Sequence, residues 1–86
     1  MNTRFLETLV MLDRLKSFRE TAQALCATQA AVSKRVEALE EELGVQLVDR
    51  SQRSLRLTRI GEQVVAQAEQ ILALEKQLKR SVQPLS

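Results

Sequence analysis

The apolar and polar positions in the first third of the chain follow the period of an α-helix. Between residues 3 and 15, apolar side chains recur every three or four positions, which places them along one helical face. That face consists of Phe5, Leu6, Leu9, Val10 and Leu12. A shorter helix is predicted from Phe18 to about residues 26–27, because Ser17 and Glu20 have the S-x-x-E spacing of a capping box.

The most regular apolar stripe belongs to a third predicted helix. This helix begins after Thr28, a favourable N-cap residue, and ends at Gly44, a typical C-cap glycine. Its apolar residues fall within about a quarter of the helix circumference, so they are expected to face the core. These residues are Val32, Val36, Leu39 and Leu43. The side chains left to point outward from the first turn and a half are Gln29, Ala30, Ser33 and Lys34.

Beyond Gly44 the helical period gives way to two short segments around a polar tip. Residues 55–58 alternate apolar with basic or polar side chains, which is the period of a β-strand. With residues 45–50 they predict a β-hairpin whose tip is residues 51–54. Because an isolated two-stranded hairpin is marginally stable, its leucines are expected to pack against the helices. They are Leu47, Leu55 and Leu57.

The C-terminal part of the chain predicts one long amphipathic helix. It runs from residue 59 to 81 or 82, about 35 Å at the usual rise, and Pro84 prevents its continuation. Such a helix is too long to lie within so small a domain, and its apolar spacing is that of a coiled-coil seam. The predicted seam is Val64, Ala68, Ile71, Leu78 and Val82, with Glu75 as one polar member. We therefore expect it to pair two copies of the chain.

The composition narrows the fold class to a mainly α domain. With 86 residues there is room for one domain, and two glycines and one proline are too few for the many tight turns of a β-sandwich or barrel. We predict a winged helix-turn-helix with a small two-stranded wing and a long C-terminal helix. The winged part spans residues 1–58, with the helix-turn-helix at 18–37, and residues 59–86 form the dimerisation helix and its tail.

Several classes of protein are disfavoured by what the sequence lacks. It has no histidine, zinc-ligand spacing, phosphate loop or nucleophile elbow, so no enzyme activity, metal or cofactor is expected. The single cysteine, Cys26, allows no internal disulfide and is expected to be packed as a small hydrophobe rather than to act as a redox switch. No membrane span or signal peptide is recognised, which favours a cytoplasmic, nucleoid-associated location.

The distribution of charge is more informative than the net charge of +2. Residues 50–59 contain four arginines and no acid, whereas residues 37–42 contain four glutamates and no base. The arginines are Arg50, Arg53, Arg56 and Arg59. The wing arginines either contact nucleic acid or serve solubility and pairing with the glutamates. Arg53, at the wing tip, is placed to reach a phosphate or a narrow minor groove.

The outward side chains of the third helix suit recognition of base edges. In a helix-turn-helix the second helix enters the major groove with its N-terminal residues at the bases. Gln29 suits adenine, Lys34 suits guanine, Ser33 suits several bases, and Ala30 can touch a thymine methyl group. The alternative is ordinary polar surface, and the wing together with the dimer helix favours recognition.

The combined string resembles the N-terminal domain of LysR-type regulators. Residues 17–25, 28–36 and 39–47, with Arg50 and the pair Leu57-Thr58, carry the resemblance, which covers residues 2–80 without a gap. The resemblance implies a bacterial transcription regulator that pairs through antiparallel linker helices and binds an interrupted inverted repeat in double-stranded DNA. It also implies a tetramer and a small-molecule effector if the full-length protein has a C-terminal domain.

The resemblance also assigns roles by position. The residues it places at the major groove or its phosphates are Thr28, Gln29, Ala30, Ser33 and Lys34, and those it places in the wing are Arg50 and Arg53. The family usually has proline where this chain has Ala30. Two alternatives remain: a helical dimer whose basic wing binds an acidic protein, and a winged-helix repressor of another family.

Overall fold

The computed structural model describes residues 1–51 and 53–83 of the chain, and within them the predicted architecture is present. The elements are α1 (Thr3–Leu15), α2 (Phe18–Ala24), α3 (Gln29–Leu43), β1 (Val48–Asp49), β2 (Arg56–Leu57) and α4 (Arg59–Val82). This is a mainly helical winged helix-turn-helix, as the sequence predicts. Gln52, assigned to the wing tip, and Pro84, assigned to the end of the last helix, lie outside the described residues.

Each helix begins at a side-chain cap. Asn2 accepts a hydrogen bond from the backbone N–H of Arg4, and Ser17 accepts one from that of Glu20. Thr28 and Thr58 do the same for α3 and α4, at 3.0 and 2.9 Å. Each such bond satisfies a backbone donor that the helix leaves free and contributes about 1 kcal/mol. The caps therefore fix where the helices start.

Two of the helices end where a residue adopts a left-handed conformation. Gly44, with a φ of 69°, ends α3 as predicted. Lys16, with a φ of 53°, ends α1. The second helix stops at Ala24, two to three residues before the predicted end, since Leu25 and Cys26 form a turn and Cys26 has a φ of 54°.

The core lies where α1 packs against the other three helices, and the hairpin closes one side of it. The buried cluster consists of Leu6, Leu9, Val10, Leu12, Val36, Leu39, Leu47, Val48, Leu57, Val65 and Ala68. Leu47 and Leu57 are buried, and Leu55 is half-buried against the same cluster, which confirms the expected packing of the hairpin. Val48 pairs with Leu57, and Asp49 with Arg56, in an antiparallel register.

One residue of the predicted core stripe is at the surface instead. Leu43 is 37% exposed, because it is the last residue of α3 and little of the chain covers that turn. The N-terminal amino group approaches Glu42 at 3.7 Å, but the Met1 side chain beside it is itself exposed. The prediction that Leu43 faces the core was wrong.

The first turn of α4 lies directly against the start of the wing. The backbone N–H of Thr58 donates to the carbonyl oxygen of Leu47 at 2.9 Å. Gly61 sits over the same peptide group, and an added Cβ there would collide with the Leu47 carbonyl oxygen and lie 3.0 Å from its carbonyl carbon. A glycine at this position is therefore required by the close approach of two backbones.

The middle of α4 packs along α1. Val65 and Ala68 are buried against it, and the Thr3 hydroxyl donates to Glu75 Oε2 at 2.8 Å. Within the described ranges, no helix combines the length and the apolar character needed to cross a membrane. The same ranges contain no group of three or more metal-ligating side chains among His, Cys, Asp and Glu.

Candidate nucleic-acid interface

The N-terminal end of α3 presents the predicted recognition side chains at the surface. Gln29, Ala30 and Lys34 are exposed and Ser33 is half-buried. The Thr28 hydroxyl accepts the backbone N–H of Ala31, yet its own hydrogen remains free to donate to a phosphate. The structure therefore brings all five predicted residues together at one end of one helix.

Phe18, which the sequence assigned only to the buried face of α2, also shapes this surface. It lines a shallow depression together with Gln29, Ala30 and Ser33. It also lines a second groove, between the start of α2 and the wing. The two depressions are thus neighbours joined by one aromatic ring. Its position as the first residue of α2 is the sequence signal that could have placed it near the recognition helix.

The second groove is basic. Its cations are Lys16, Arg50 and Arg53, and Ser17, Ser54 and Asp49 add polar groups. Lys16 is ion-paired with Asp13 at 2.7 Å. Arg53 is exposed and makes no ion pair with any carboxylate of residues 1–51 and 53–83. Of the three cations, Arg53 is the one with its charge fully directed at solvent.

Arg50 is held by a glutamate of α3. Its two terminal guanidinium nitrogens donate to Glu40 Oε2 and Oε1 at 3.1 and 3.0 Å. Glu40 Oε2 also accepts the backbone N–H groups of Leu47 and Val48. Pairing with the glutamate cluster, the alternative role for a wing arginine, is therefore what the structure has for Arg50.

The surroundings of Glu40 stabilise its charged form. Partial burial opposes ionisation, but the hydrogen bond from Arg50 and those from the backbone outweigh it, so the pKa of Glu40 lies below its ordinary 4.5. The hydrogen bond to Glu40 likewise raises the pKa of Arg50. Hydrogen bonds from the Ser51 hydroxyl and backbone lower the pKa of Asp49. Two carboxylates at the base of the wing are thus held ionised.

Acidification is expected to destabilise the fold through Glu40. A carboxyl whose pKa is depressed in the folded state contributes stability above its unfolded pKa of about 4.5, and that contribution is lost as pH falls through the lower folded value. The free energy of unfolding of wild type should therefore fall between about pH 5 and pH 3 more steeply than that of Glu40→Gln, by urea titration. Glu41→Gln is the matched control, and equal pH dependence in all three proteins would contradict the assignment.

The predicted dimer seam on α4 divides between two faces of the helix. Ala68 is 1% exposed and belongs to the core of its own chain, so it is not available to a partner. Val64 is half-buried, whereas Ile71, Leu78 and Val82 are exposed. Leu74, which the prediction omitted, is 64% exposed. We call the remaining apolar face the α4 row: Ile60, Val64, Ile71, Leu74, Leu78 and Val82.

The α4 row follows a single stripe. At 100° per residue its six members lie within about a quarter of the helix circumference, beside the stripe that packs on α1. Glu75 belongs to the latter, since it accepts the Thr3 hydroxyl. A polar member in an otherwise apolar seam was the sequence signal that Leu74, and not Glu75, belongs to the exposed stripe.

Cys26 is exposed, which corrects the expectation that it is packed as a small hydrophobe. Its left-handed conformation turns the chain between α2 and α3, and the preceding residue, Leu25, is the half-buried one. The turn is closed by the backbone N–H of Ala27, which donates to the carbonyl of Ala22 at 2.8 Å. The thiol therefore lies at the surface beside the start of α3.

Comparison with known proteins gives one family. Residues 3–62 match the family model described as bacterial regulatory helix-turn-helix protein, lysR family. Over 82 residues the chain is 35% identical to the HTH-type transcriptional regulator HdfR of Shigella boydii, covering 95% of this chain and 29% of the relative. It is 38% identical to HdfR of Yersinia pestis, covering 95% and 28%. The chain thus spans less than a third of the length of these relatives.

Solved structures agree with the sequence comparison. A LysR family transcriptional regulator, VV2_1132, superposes with a TM-score of 0.93 at 35% identity, over 100% of this chain and 29% of that one. The BenM_DBD complex with catB site 1 DNA superposes with a TM-score of 0.88 at 32% identity, over 93% and 86%. The whole of this chain therefore has the fold of a module that a solved structure has in complex with DNA.

Proposed function

The chain belongs to the LysR family of bacterial regulatory helix-turn-helix proteins, and on that premise we propose that it binds double-stranded DNA sequence-specifically as a dimer. The observation that carries the proposal is the continuous surface on which Phe18 joins the depression at α3 to the basic groove at the wing. One part of this surface offers hydrogen-bonding side chains and the other offers unneutralised positive charge. Base edges and phosphates of one duplex require both.

In this proposal α3 enters the major groove by its N-terminal end. Gln29, Ser33 and Lys34 supply donors and acceptors for base edges there. Glu37 and Glu41 are exposed further along the same side of the helix, and phosphates close to them would be repelled. The later turns of α3 must therefore tilt away from the DNA backbone.

The wing supplies the second contact through Arg53. Its exposed guanidinium extends from the hairpin, where it can bind a phosphate or enter a narrow minor groove. This contact adds affinity for any sequence, whereas the α3 contacts distinguish sequences. The two kinds of contact can thus be separated by mutation.

Selection of bound duplexes from a random pool, at near-physiological salt, tests the proposal. We expect enrichment of an interrupted inverted repeat. Arg53→Ala should weaken binding to all sequences and lower the slope of log affinity against log salt by about 0.9. Gln29→Ala should instead reduce discrimination at one base pair by about 1–3 kcal/mol.

Arg80→Ala is the matched control for the loss of one positive charge, because Arg80 is exposed near the far end of α4. Recovery of DNA without any enriched sequence would mean that the domain reads only phosphates. No retained DNA at all would favour the alternative, in which the basic wing of a helical dimer binds an acidic protein.

The α4 row supports pairing of two copies in an antiparallel arrangement. Ile60 and Val82 are each eleven residues from Ile71, and Val64 and Leu78 are each seven residues from it. An antiparallel two-fold pair centred on Ile71 therefore places apolar side chains opposite apolar side chains along the row. A symmetric interface of this kind is self-complementary, and it explains why several large apolar residues of α4 are left exposed in one copy.

Residues 1–58 would then bind DNA, while residues 59–86 contain the helix that joins the copies. Because the relatives are more than three times as long, an effector-binding domain and tetramer formation are proposals for a longer protein, as is action at the nucleoid in the cytoplasm. No residue of the described site needs a cofactor for this role.

A further inference from the structure

The Glu40 carboxylate connects the recognition helix to the wing. It accepts the backbone N–H groups of Leu47 and Val48 at 2.8 and 3.3 Å, and both terminal nitrogens of Arg50 at 3.0 and 3.1 Å. Its side chain is only 13% exposed. One carboxylate of α3 therefore holds both the start of β1 and the residue that follows β1.

The wing needs such a connection because its own strands are very short. β1 and β2 contain two residues each, and a hairpin of that size is marginally stable by itself. The tip that carries Arg53 begins just after Arg50. The position of Arg53 relative to α3 thus depends on how firmly the base of the hairpin is held.

A direct phosphate contact by Arg50 would conflict with this arrangement. Arg50 would have to release two charge-assisted hydrogen bonds and leave a largely buried carboxylate without its cation. One of its nitrogens also approaches the carbonyl oxygen of Val48 at 3.4 Å. The geometry favours a guanidinium that faces the protein.

We propose that Glu40 and Arg50 are positioning residues for DNA binding, which hold the wing so that Arg53 reaches the duplex when α3 occupies the groove. This inference rests on the proposed function, because it concerns the geometry of the same interface. It reassigns Arg50 from contacting DNA to holding the residue that does.

Comparison of Glu40→Gln with Glu41→Gln tests the inference by the sign of the effect. Both variants remove one negative charge from α3, which by itself raises affinity for DNA. Glu41 is exposed, and none of the hydrogen bonds found in residues 1–51 and 53–83 involves its side chain. We expect equal or tighter binding by Glu41→Gln, but about tenfold weaker binding by Glu40→Gln, the equivalent of one lost charge-assisted contact.

Two further readouts separate positioning from general loss of stability. In the Glu40→Gln background, Arg53→Ala should cost much less affinity than in wild type, and the salt slope should already be lower by about 0.9. Arg50→Lys keeps the charge but not the two-pronged geometry, so it should also weaken binding. Circular dichroism at the assay temperature confirms that each variant is folded.

The outcomes are distinguishable. If wild type binds no DNA, the proposed function is overturned and this inference with it. If wild type binds but Glu40→Gln matches Glu41→Gln, or Arg53→Ala costs the same in both backgrounds, only the positioning role is overturned. Full affinity in Arg50→Lys with loss in Arg50→Ala would make Arg50 a direct phosphate contact.

Discussion

Replacing Gly61 with alanine is expected to destabilise the domain by about 2–3 kcal/mol, although alanine normally favours a helix over glycine by about 1 kcal/mol. The added methyl group would collide with the backbone carbonyl of Leu47, which cannot move aside like a flexible side chain. Either α4 or the wing must shift, and the hydrogen bond from Thr58 to Leu47 would be strained with them. In a domain of this size the total stability is about 4–13 kcal/mol, so the loss is a large fraction of it.

Gly44→Ala is the matched control, measured by urea denaturation beside wild type and Gly61→Ala. No atom lies within 4 Å of a Cβ at Gly44, but its φ of 69° is unfavourable for alanine. Its cost should be about 1–2 kcal/mol and purely conformational, and Gly44→Asn should recover part of it. If Gly61→Ala proved as stable as wild type, the close approach of α4 to the wing would be wrong.

The second large effect is expected at the α4 row. Leu78→Glu should weaken dimerisation at least about 100-fold, because each dimer contains the site twice and each copy loses the burial of a leucine while gaining a charge to desolvate. Leu78 is 64% exposed in the single chain, so its replacement leaves the core unchanged. Affinity for an inverted repeat should fall together with dimerisation, since the two half-sites are then bound independently.

Sedimentation equilibrium and thermal denaturation separate the two effects of this variant. Ala66→Glu adds the same carboxylate to another exposed face of α4 and should leave the dimer intact. A monomer–dimer equilibrium that is the same for Leu78→Glu and wild type would show that another surface joins the copies.

Local patterns were sufficient to predict most of the fold. The helical period located α1, α3 and α4, and the capping residues Ser17, Thr28 and Thr58 marked three helix starts that the structure confirms. Gly44 likewise marked the end of α3. These signals are local, since each depends on residues within a few positions of one another.

The errors concern which neighbour covers which face. Periodicity shows that Ala68 and Leu78 are close around a helix, but it does not show that α1 covers the first and not the second. Leu43 fits the stripe of α3 and is exposed because the neighbouring helix does not extend that far.

The Glu40–Arg50 pair was beyond reach for a related reason. Its members are ten residues apart, on a helix and after a strand, so no period links them. The opposed clusters of charge indicated that pairing was an option, but only the tertiary structure selects the two partners.

The exposed thiol at the α2–α3 turn makes the chain suitable for site-specific labelling. Cys26 is its single cysteine, so a maleimide dye or nitroxide would attach at one place, two residues before the cap of the recognition helix. In a two-fold dimer the two labels would report the separation of the recognition helices directly. Pulsed electron spin resonance on such a sample, with and without an operator duplex, would measure whether that separation is already set before DNA is bound.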